Sequence, residues 1–250
     1  VVKMPTKLIS KWWQSTMANF PYGAEFSPDV FDLSTVVSMI TAASGSVDSL
    51  KQSIHSKYWK KAGRSARAAK TMSMNSYLTM KSYGLLEETS RSAFIETPLL
   101  SEIKRQKTKQ GMVDELNRHL IVRCDGFVFL KVLEGLKSQD VQITMTAIND
   151  ELVKCGYTNV NSTNKYISTL RAWLSLSDLF KGSSYEINWG KVHSLLGLSG
   201  SDLQANLDLT KDQVSFLRAL VAIGESTIQV NEVCLYSRKT LNQTLPEKNI

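Results

Sequence analysis

Residues Lys51 to Leu86 read KQSIHSKYWKKAGRSARAAKTMSMNSYLTMKSYGLL, and this stretch decides the predicted fold. It contains eight Lys or Arg residues and no Asp or Glu. Helix surfaces in solvent usually mix both signs, because opposite charges four residues apart stabilise a helix and like charges oppose it. A run of this length without an acidic residue therefore indicates a surface that meets a polyanion and releases its counterions.

Local signals around this stretch predict three helices followed by two short strands. Capping residues and apolar spacing give the helices, and Tyr83-Gly84 marks the step from the third helix into the first strand. The expected elements are helices at about 32–43, 46–60 and 65–83, with a break near Ser73 in the third, and strands at 85–88 and 93–96. This is the layout of a winged helix, and we call residues 31–98 the first unit.

The same order of parts recurs further along the chain, in residues 113–192, which we call the second unit. Its third helix is expected at 163–174, and its hairpin at 178–189 has a turn at Gly182-Ser183-Ser184. The repeat concerns the order of elements, with little residue identity. The predicted fold class is therefore mainly α with short β-hairpin wings, in tandem winged helix-turn-helix domains. The remaining segments are an irregular lead-in (1–30), a basic connector (99–112), a linker (193–209) and a partial third helix-turn-helix (210–250).

Charge is concentrated in one region of the chain. The whole protein carries a net charge of +7, and residues 47–123, with fifteen basic and seven acidic side chains, account for all of it. The major groove of duplex DNA admits an α-helix, and polar side chains near the start of that helix read base edges. Double-stranded DNA is therefore the expected partner.

Candidate DNA-binding residues are polar or basic positions on the third helix of each unit, on the preceding turn and on the hairpins. They are Lys57, Lys60, Lys61, Arg64, Arg67, Lys70, Thr71, Asn75 and Arg91 in the first unit, and Ser162, Thr163, Asn164, Lys165, Tyr166, Thr169, Arg171 and Lys181 in the second. Arg pairs with guanine and Asn with adenine, whereas Lys and Thr suit phosphate. Helix capping is the competing explanation for the second set, since Ser, Thr and Asn are favoured at helix starts.

Enzymatic motifs are weak throughout the sequence. The three histidines have no partner at metal-ligand spacing, and no Gly-rich phosphate loop is followed by Lys, so we expect no metal, no cofactor and no catalytic residues. Three widely spaced cysteines argue against a disulfide framework and favour a reducing compartment. With no signal peptide and no membrane-spanning run, we expect a cytoplasmic protein without a membrane partner.

Two fragments resemble bacterial winged-helix proteins. They are Tyr77-Leu78 with Tyr83-Gly84-Leu85-Leu86-Glu87, and Ile167 to Leu174 with Leu179-Phe180. In that family a helix commonly ends in a Gly-Leu-apolar step into the wing; the second fragment departs from this with Asp178 where Gly is usual. Tandem arrays of such units resemble the DNA-handling regions of bacterial restriction and phage-defence proteins. The resemblance implies a recognition region that works with further domains or subunits of a defence complex.

Two alternatives remain open from the sequence. The winged helices could be docking modules of a protein-interaction scaffold, with an apolar face formed by Trp12, Trp13, Trp173 and Leu176. The chain, which starts at Val1, could also be the recognition part of a longer nuclease or ATPase whose active site lies beyond Ile250. A scaffold is expected to bind its partner tightly and with little salt dependence, whereas DNA binding through charge weakens steeply with salt. If the first unit binds DNA, replacing Arg64 and Arg67 together should lower affinity.

Overall fold

The computed structural model describes residues 20–60, 65–160 and 164–197. The chain divides into two compact bodies, Val1–Leu196 and Gly197–Ile250, and the described elements belong to the first. Over the described residues the fold is mainly helical, with nine α-helices and one two-stranded antiparallel sheet. The Trp12-Trp13 pair, most of the predicted linker and the partial third helix-turn-helix lie outside the described residues.

The first unit consists of three helices and a hairpin. Its elements are α1 (Leu33–Ala42), α2 (Val47–Ile54) with a π-helical turn (His55–Trp59), α3 (Ala66–Ser82), β1 (Leu86–Glu88) and β2 (Phe94–Glu96). Asp32, Ser46 and Ser65 cap the three helices, each accepting a hydrogen bond from a backbone N–H in the first turn. The expected break near Ser73 is wrong, because α3 is continuous and the Ser73 hydroxyl donates to the Ala69 carbonyl at 2.8 Å.

The hairpin of the first unit is tied back to the start of α2. Within the hairpin Leu86 pairs with Glu96, and Glu88 pairs with Phe94. An antiparallel bridge also joins Ser46 to Ala93, next to a hydrogen bond of 2.8 Å from Phe94 N to the Gly45 carbonyl. The residues between α1 and α2 therefore act as a third, very short strand beside β2.

The remaining described helices run from the predicted connector to the end of the second unit. They are α4 (Pro98–Arg105), α5 (Lys109–Arg123), α6 (Gly126–Ser138), α7 (Met145–Lys154), α8 (Lys165–Ser175) and α9 (Trp189–Leu196). The segment expected to be a polar connector thus contains α4, which buries Leu99, Leu100 and Ile103 and packs on α5. The second hairpin is present as a bridge between Phe180 and Ile187.

The end of the predicted lead-in is part of the core. Phe20, Phe26 and Phe31 are fully buried in a hydrophobic cluster that includes residues of both units. Hydrogen bonds fix this segment on both sides: Thr79 of α3 donates to the Ala24 carbonyl at 2.7 Å, and the Trp173 indole of α8 donates to the Phe26 carbonyl at 2.6 Å. Residues 20–31 therefore join the two units in one core.

Helix α5 packs against α1 of the first unit and against α8 of the second unit, to which most of α5 belongs. Its buried Asn117 donates from Nδ2 to the Trp173 carbonyl at 2.8 Å and to the Ser177 hydroxyl at 2.7 Å. Ser177 in turn donates to Asp114 at 2.6 Å. Within the described part of the chain, none of the helices has the length and apolar content needed to cross a lipid bilayer.

Candidate nucleic-acid interface

One face of α3 is open to solvent along the whole helix. We call this face the α3 stripe; its residues recur at helical spacing and are Arg67, Lys70, Thr71, Met74, Leu78 and Lys81. All are exposed except Leu78, which is half-buried. The opposite face carries the buried hydroxyls of Ser76 and Thr79, which bond to residues 24–25. The contact that joins the two units therefore leaves the α3 stripe free.

The π-helical turn places two more cations beside α3. Its defining hydrogen bond runs from Lys60 N to the His55 carbonyl at 2.8 Å. The extra residue in this turn lets consecutive Tyr58 and Trp59 both point inward, and the Trp59 indole donates to Ser76 of α3 at 3.0 Å. Lys57 and Lys60 remain exposed on the outer side.

The base of the first hairpin is anchored to α3 through Glu88. Its carboxylate accepts a hydrogen bond of 2.7 Å from the Tyr77 hydroxyl and forms an ion pair with Lys81. The Lys81 ammonium, and after it the Tyr77 hydroxyl, lowers the pKa of Glu88. The hairpin therefore leaves α3 at the C-terminal end of the stripe, and exposed Arg91 lies in its turn.

Ion pairs distinguish the first unit from the rest of the described chain. Beyond residue 100, ten basic side chains have an acidic partner within 4.0 Å: Lys104, Arg105, Lys109, Arg118, Lys131, Lys137, Lys154, Lys165, Lys181 and Lys191. Between residues 51 and 91, Lys81 is the only described basic residue that is paired in this way. Lys51, Lys57, Lys60, Arg67, Lys70 and Arg91 have no such partner among the described residues, so no ion pair within that part of the chain neutralises their charge.

Five of these six side chains are exposed to solvent. Lys51 is the exception, because its ammonium lies 4.6 Å from the centre of the Tyr77 ring and near Glu88. We call the other five the basic face: Lys57, Lys60, Arg67, Lys70 and Arg91. All five were predicted from the sequence as DNA contacts, as were exposed Thr71 and half-buried Asn75. Lys61 and Arg64, also predicted, lie outside the described residues.

The corresponding helix of the second unit, α8, has a surface that is partly covered by other residues of the same chain. Tyr166 packs against Tyr22 with ring centres 4.9 Å apart, and Lys165 forms an ion pair with Glu25. Thr169 is only 6 % exposed, so the expectation that it lies on a solvent face is wrong. Asn164 is exposed and its side-chain oxygen accepts from Asn149, while Ser162 and Thr163 lie outside the described residues.

Arg171 and Lys181 have structural partners within the second hairpin. The Arg171 guanidinium donates to the Ser183 and Ser184 carbonyls at 2.6 and 2.9 Å, and it stacks 4.6 Å from the centre of the Tyr185 ring. Lys181 pairs with Glu186 at 2.8 Å across the same hairpin. Arg171 therefore attaches the hairpin to α8, and Lys181 connects the two sides of the hairpin.

Two further sequence expectations concern the apolar docking face and metal binding. Trp173 is fully buried, which is incompatible with its predicted place on an exposed docking face; Leu176 is exposed. Among the described residues, no group of three or more His, Cys, Asp or Glu side chains is placed to hold a metal ion. The basic face is therefore the surface with the clearest chemical character in the described part of the chain.

The chain was compared with protein-family models, with curated proteins and with solved structures, and none matches. Function must therefore be inferred from the placement and charge of these side chains.

Proposed function

We propose that the first unit is a winged helix that binds duplex DNA through the basic face. In this proposal α3 is the recognition helix, and the β1–β2 hairpin is the wing. The observation that carries it is the set of five exposed cations that have no acidic partner among the described residues and that lie on α3, on the π-helical turn and on the hairpin. Elsewhere in the described chain most cations are neutralised by neighbours, so this grouping calls for an external polyanion.

The order of elements supports the proposal independently of charge. A winged helix has a short strand between its first two helices, and that strand pairs with the hairpin that follows the third helix. The bridge between Ser46 and Ala93 occupies this position between α1 and α2. A helix with its side chains is about 10–12 Å wide, which matches the major groove of about 12 Å.

The proposed partner is a duplex of DNA and not of RNA. The A-form major groove of RNA is deep and narrow, so a helix such as α3 cannot enter it. The π-helical turn packs on α3, and the hairpin is attached to the C-terminal part of α3 through Glu88. In this proposal the exposed cations of the turn and the hairpin contact phosphates and fix the orientation of the helix.

We assign the second unit a supporting role in this proposal. Helix α8 has the small neutral residues Ser168, which is exposed, and Ser175, which is half-buried, and its cations Lys165 and Arg171 are bound by other residues of the chain. The second unit also has the order of helices and hairpin of a winged helix, which is why we propose a tandem arrangement. Its contribution would be to hold α3 from behind, through residues 20–31.

The proposal is tested by a double replacement on the α3 stripe and a matched control. Arg67→Ala with Lys70→Ala removes two unpaired cations. Arg105→Ala with Lys154→Ala removes the same two residue types at exposed positions, where each is paired with a carboxylate three residues away. Binding of a labelled random duplex is measured by fluorescence anisotropy at several salt concentrations.

We expect the first variant to bind more weakly and to reduce the slope of log affinity against log salt by about 1.8, since each phosphate contact contributes about 0.9. The control should keep the wild-type slope, and circular dichroism should show both variants folded, because exposed pairs contribute little stability. Equal losses in the two variants would indicate a general charge effect and would contradict the assignment to α3.

A further inference from the structure

An exposed apolar side chain lies on the α3 stripe, on the same helix as two cations of the basic face. Met74 is 42 % exposed at the centre of the α3 stripe, one turn beyond Lys70, and half-buried Leu78 follows it. Phosphate binding does not account for this residue, because an exposed thioether offers phosphate neither a charge nor a hydrogen-bond donor. An exposed apolar group at the centre of a binding surface instead suggests contact with an apolar part of the partner.

The neighbours of Met74 on the same turn complete a small surface of defined chemistry. The Thr71 hydroxyl donates to the Arg67 carbonyl at 3.0 Å. The Thr71 methyl group is therefore the part of this side chain that is available for contact with a partner. Asn75 is half-buried, and its side-chain amide has no hydrogen-bond partner among the described residues. Residues 71, 74 and 75 share one turn of α3, which rises about 5.4 Å, the height of one to two base-pair steps.

The edges of base pairs in the major groove match these groups selectively. Thymine presents a C5-methyl group, which takes apolar contacts, and adenine presents an N6 donor and an N7 acceptor, which fit the two ends of an Asn amide. Guanine is read by Arg or Lys, and the exposed cations nearest this turn, Arg67 and Lys70, lie towards the start of α3.

We propose that Thr71, Met74 and Asn75 read A·T base pairs in the major groove. Met74 and the Thr71 methyl group contact thymine methyls, and the Asn75 amide pairs with adenine. This inference rests on the proposed function, since it requires α3 to lie in the groove. It goes beyond it by separating the residues that give affinity, which are Arg67 and Lys70, from those that give sequence preference.

The test removes the thymine methyl group alone. Two alternating A·T duplexes are compared, one with deoxythymidine and one with deoxyuridine throughout, so that charge and hydrogen-bonding pattern are unchanged. We expect the wild-type protein to bind the deoxyuridine duplex at least about fourfold more weakly. This is the loss in affinity that corresponds to one buried methyl group, worth about 0.8 kcal/mol. Met74→Ala should abolish most of this difference, whereas Lys70→Ala should weaken binding to both duplexes by the same factor.

A third variant addresses the contact with adenine. Asn75→Ala should reduce the preference for the deoxythymidine duplex over a G·C duplex while keeping the salt slope of the wild type. Ala is the best helix former, so Met74→Ala and Asn75→Ala are both expected to fold. Circular dichroism checks this.

The outcomes separate this inference from the proposed function. Salt-dependent binding with equal affinity for the deoxythymidine and deoxyuridine duplexes would overturn the reading of thymine and leave DNA binding standing. The same methyl effect in wild type and in Met74→Ala would assign it to DNA shape and would also overturn the inference. Absence of binding to every duplex at low salt would overturn both.

Discussion

Phe26→Ala tests the finding that residues 20–31 join the two units in one core. The Phe26 ring has 0 % exposure and packs between the two units, with its centre 6.1 Å from that of Tyr83 and 5.2 Å from that of Trp173. Truncation of a buried Phe to Ala typically costs about 3–5 kcal/mol, through lost burial and the cavity left behind. We expect a loss of about 4 kcal/mol, which is a large part of the stability of an ordinary domain.

The assay combines urea denaturation with hydrogen exchange. Denaturation gives the free energy of unfolding, and exchange followed by mass spectrometry reports on peptides from α3 and α8 separately. If residues 20–31 couple the units, amides in both helices should lose protection by the same factor. Val30→Ala is the control, because Val30 is 40 % exposed and its truncation should change stability by less than about 0.5 kcal/mol.

A loss below about 1 kcal/mol for Phe26→Ala would refute the assignment of residues 20–31 to the core. Loss of protection in α8 alone, with α3 unchanged, would refute the coupling between the units even if the total loss were large.

Two further predictions concern half-buried His119 on α5 and buried Gly126 at the start of α6. Burial, together with the charge of Arg123, lowers the pKa of His119 to about 4, against about 6.5 in an unfolded chain. The unfolded chain therefore binds more protons between these values, so stability should fall as pH drops from 6.5 to 4, by about 1–2 kcal/mol because the imidazole is partly exposed and solvent screens its charge. Urea midpoints for His119→Gln should show a flatter profile, and parallel profiles would contradict the assignment. Gly126→Ala would place Cβ 2.7 Å from the Leu120 carbonyl oxygen and should lower the thermal midpoint through a loss of about 1–3 kcal/mol. Gly135→Ala in the same helix has no atom within 4 Å and should raise it, so equal shifts would contradict the packing.

Local signals in the sequence predicted the helices of the first unit well. The sequence indicated a cap at Asp32 or Ser34 for α1, a cap at Ser46 or Asp48 for α2, and a start at about Ser65 for α3; the structure has caps at Asp32, Ser46 and Ser65. The helix stop at Gly84 also lies where the sequence indicated, and all these features depend on residues within one turn. The left-handed φ of +74° at Gly84 is the conformation that favours Gly after a helix. Local chemistry is sufficient for such features.

Features that depend on distant residues were not predicted. The ion pair between Lys165 and Glu25 joins residues 140 apart in the chain, and no local pattern reveals it. The same holds for Tyr166, which was predicted as a DNA contact but packs against Tyr22. The Gly in Tyr22-Gly23 was an available signal of close packing, since a Cβ there would lie 2.9 Å from the Tyr166 carbonyl oxygen.

The many charged residues of the segment that contains α4 led to a wrong prediction of a polar connector there. Residues 101–110 contain many Lys and Gln side chains and were expected to form a connector, yet Leu99, Leu100 and Ile103 give this segment a buried side. Those three residues have the spacing of an amphipathic helix, and Thr97 with Pro98 is a favourable helix start. The position of the basic face was easier to predict from the sequence. Cations in a run without acidic residues have few ion-pair partners nearby in the chain, so their charge is left without a local partner.

The most direct test of DNA binding by the first unit is the salt dependence of the wild-type protein. Anisotropy of a labelled random duplex is titrated at about 50 and 200 mM salt. Five phosphate contacts from the basic face correspond to a slope of about −4.5, hence a fall in affinity of about 500-fold between the two conditions, or nearly four decades if Lys61 and Arg64 also contribute. A fall of this size is the expected result. Binding that changes less than about tenfold, or no binding at 50 mM, would contradict the proposal that the basic face binds DNA.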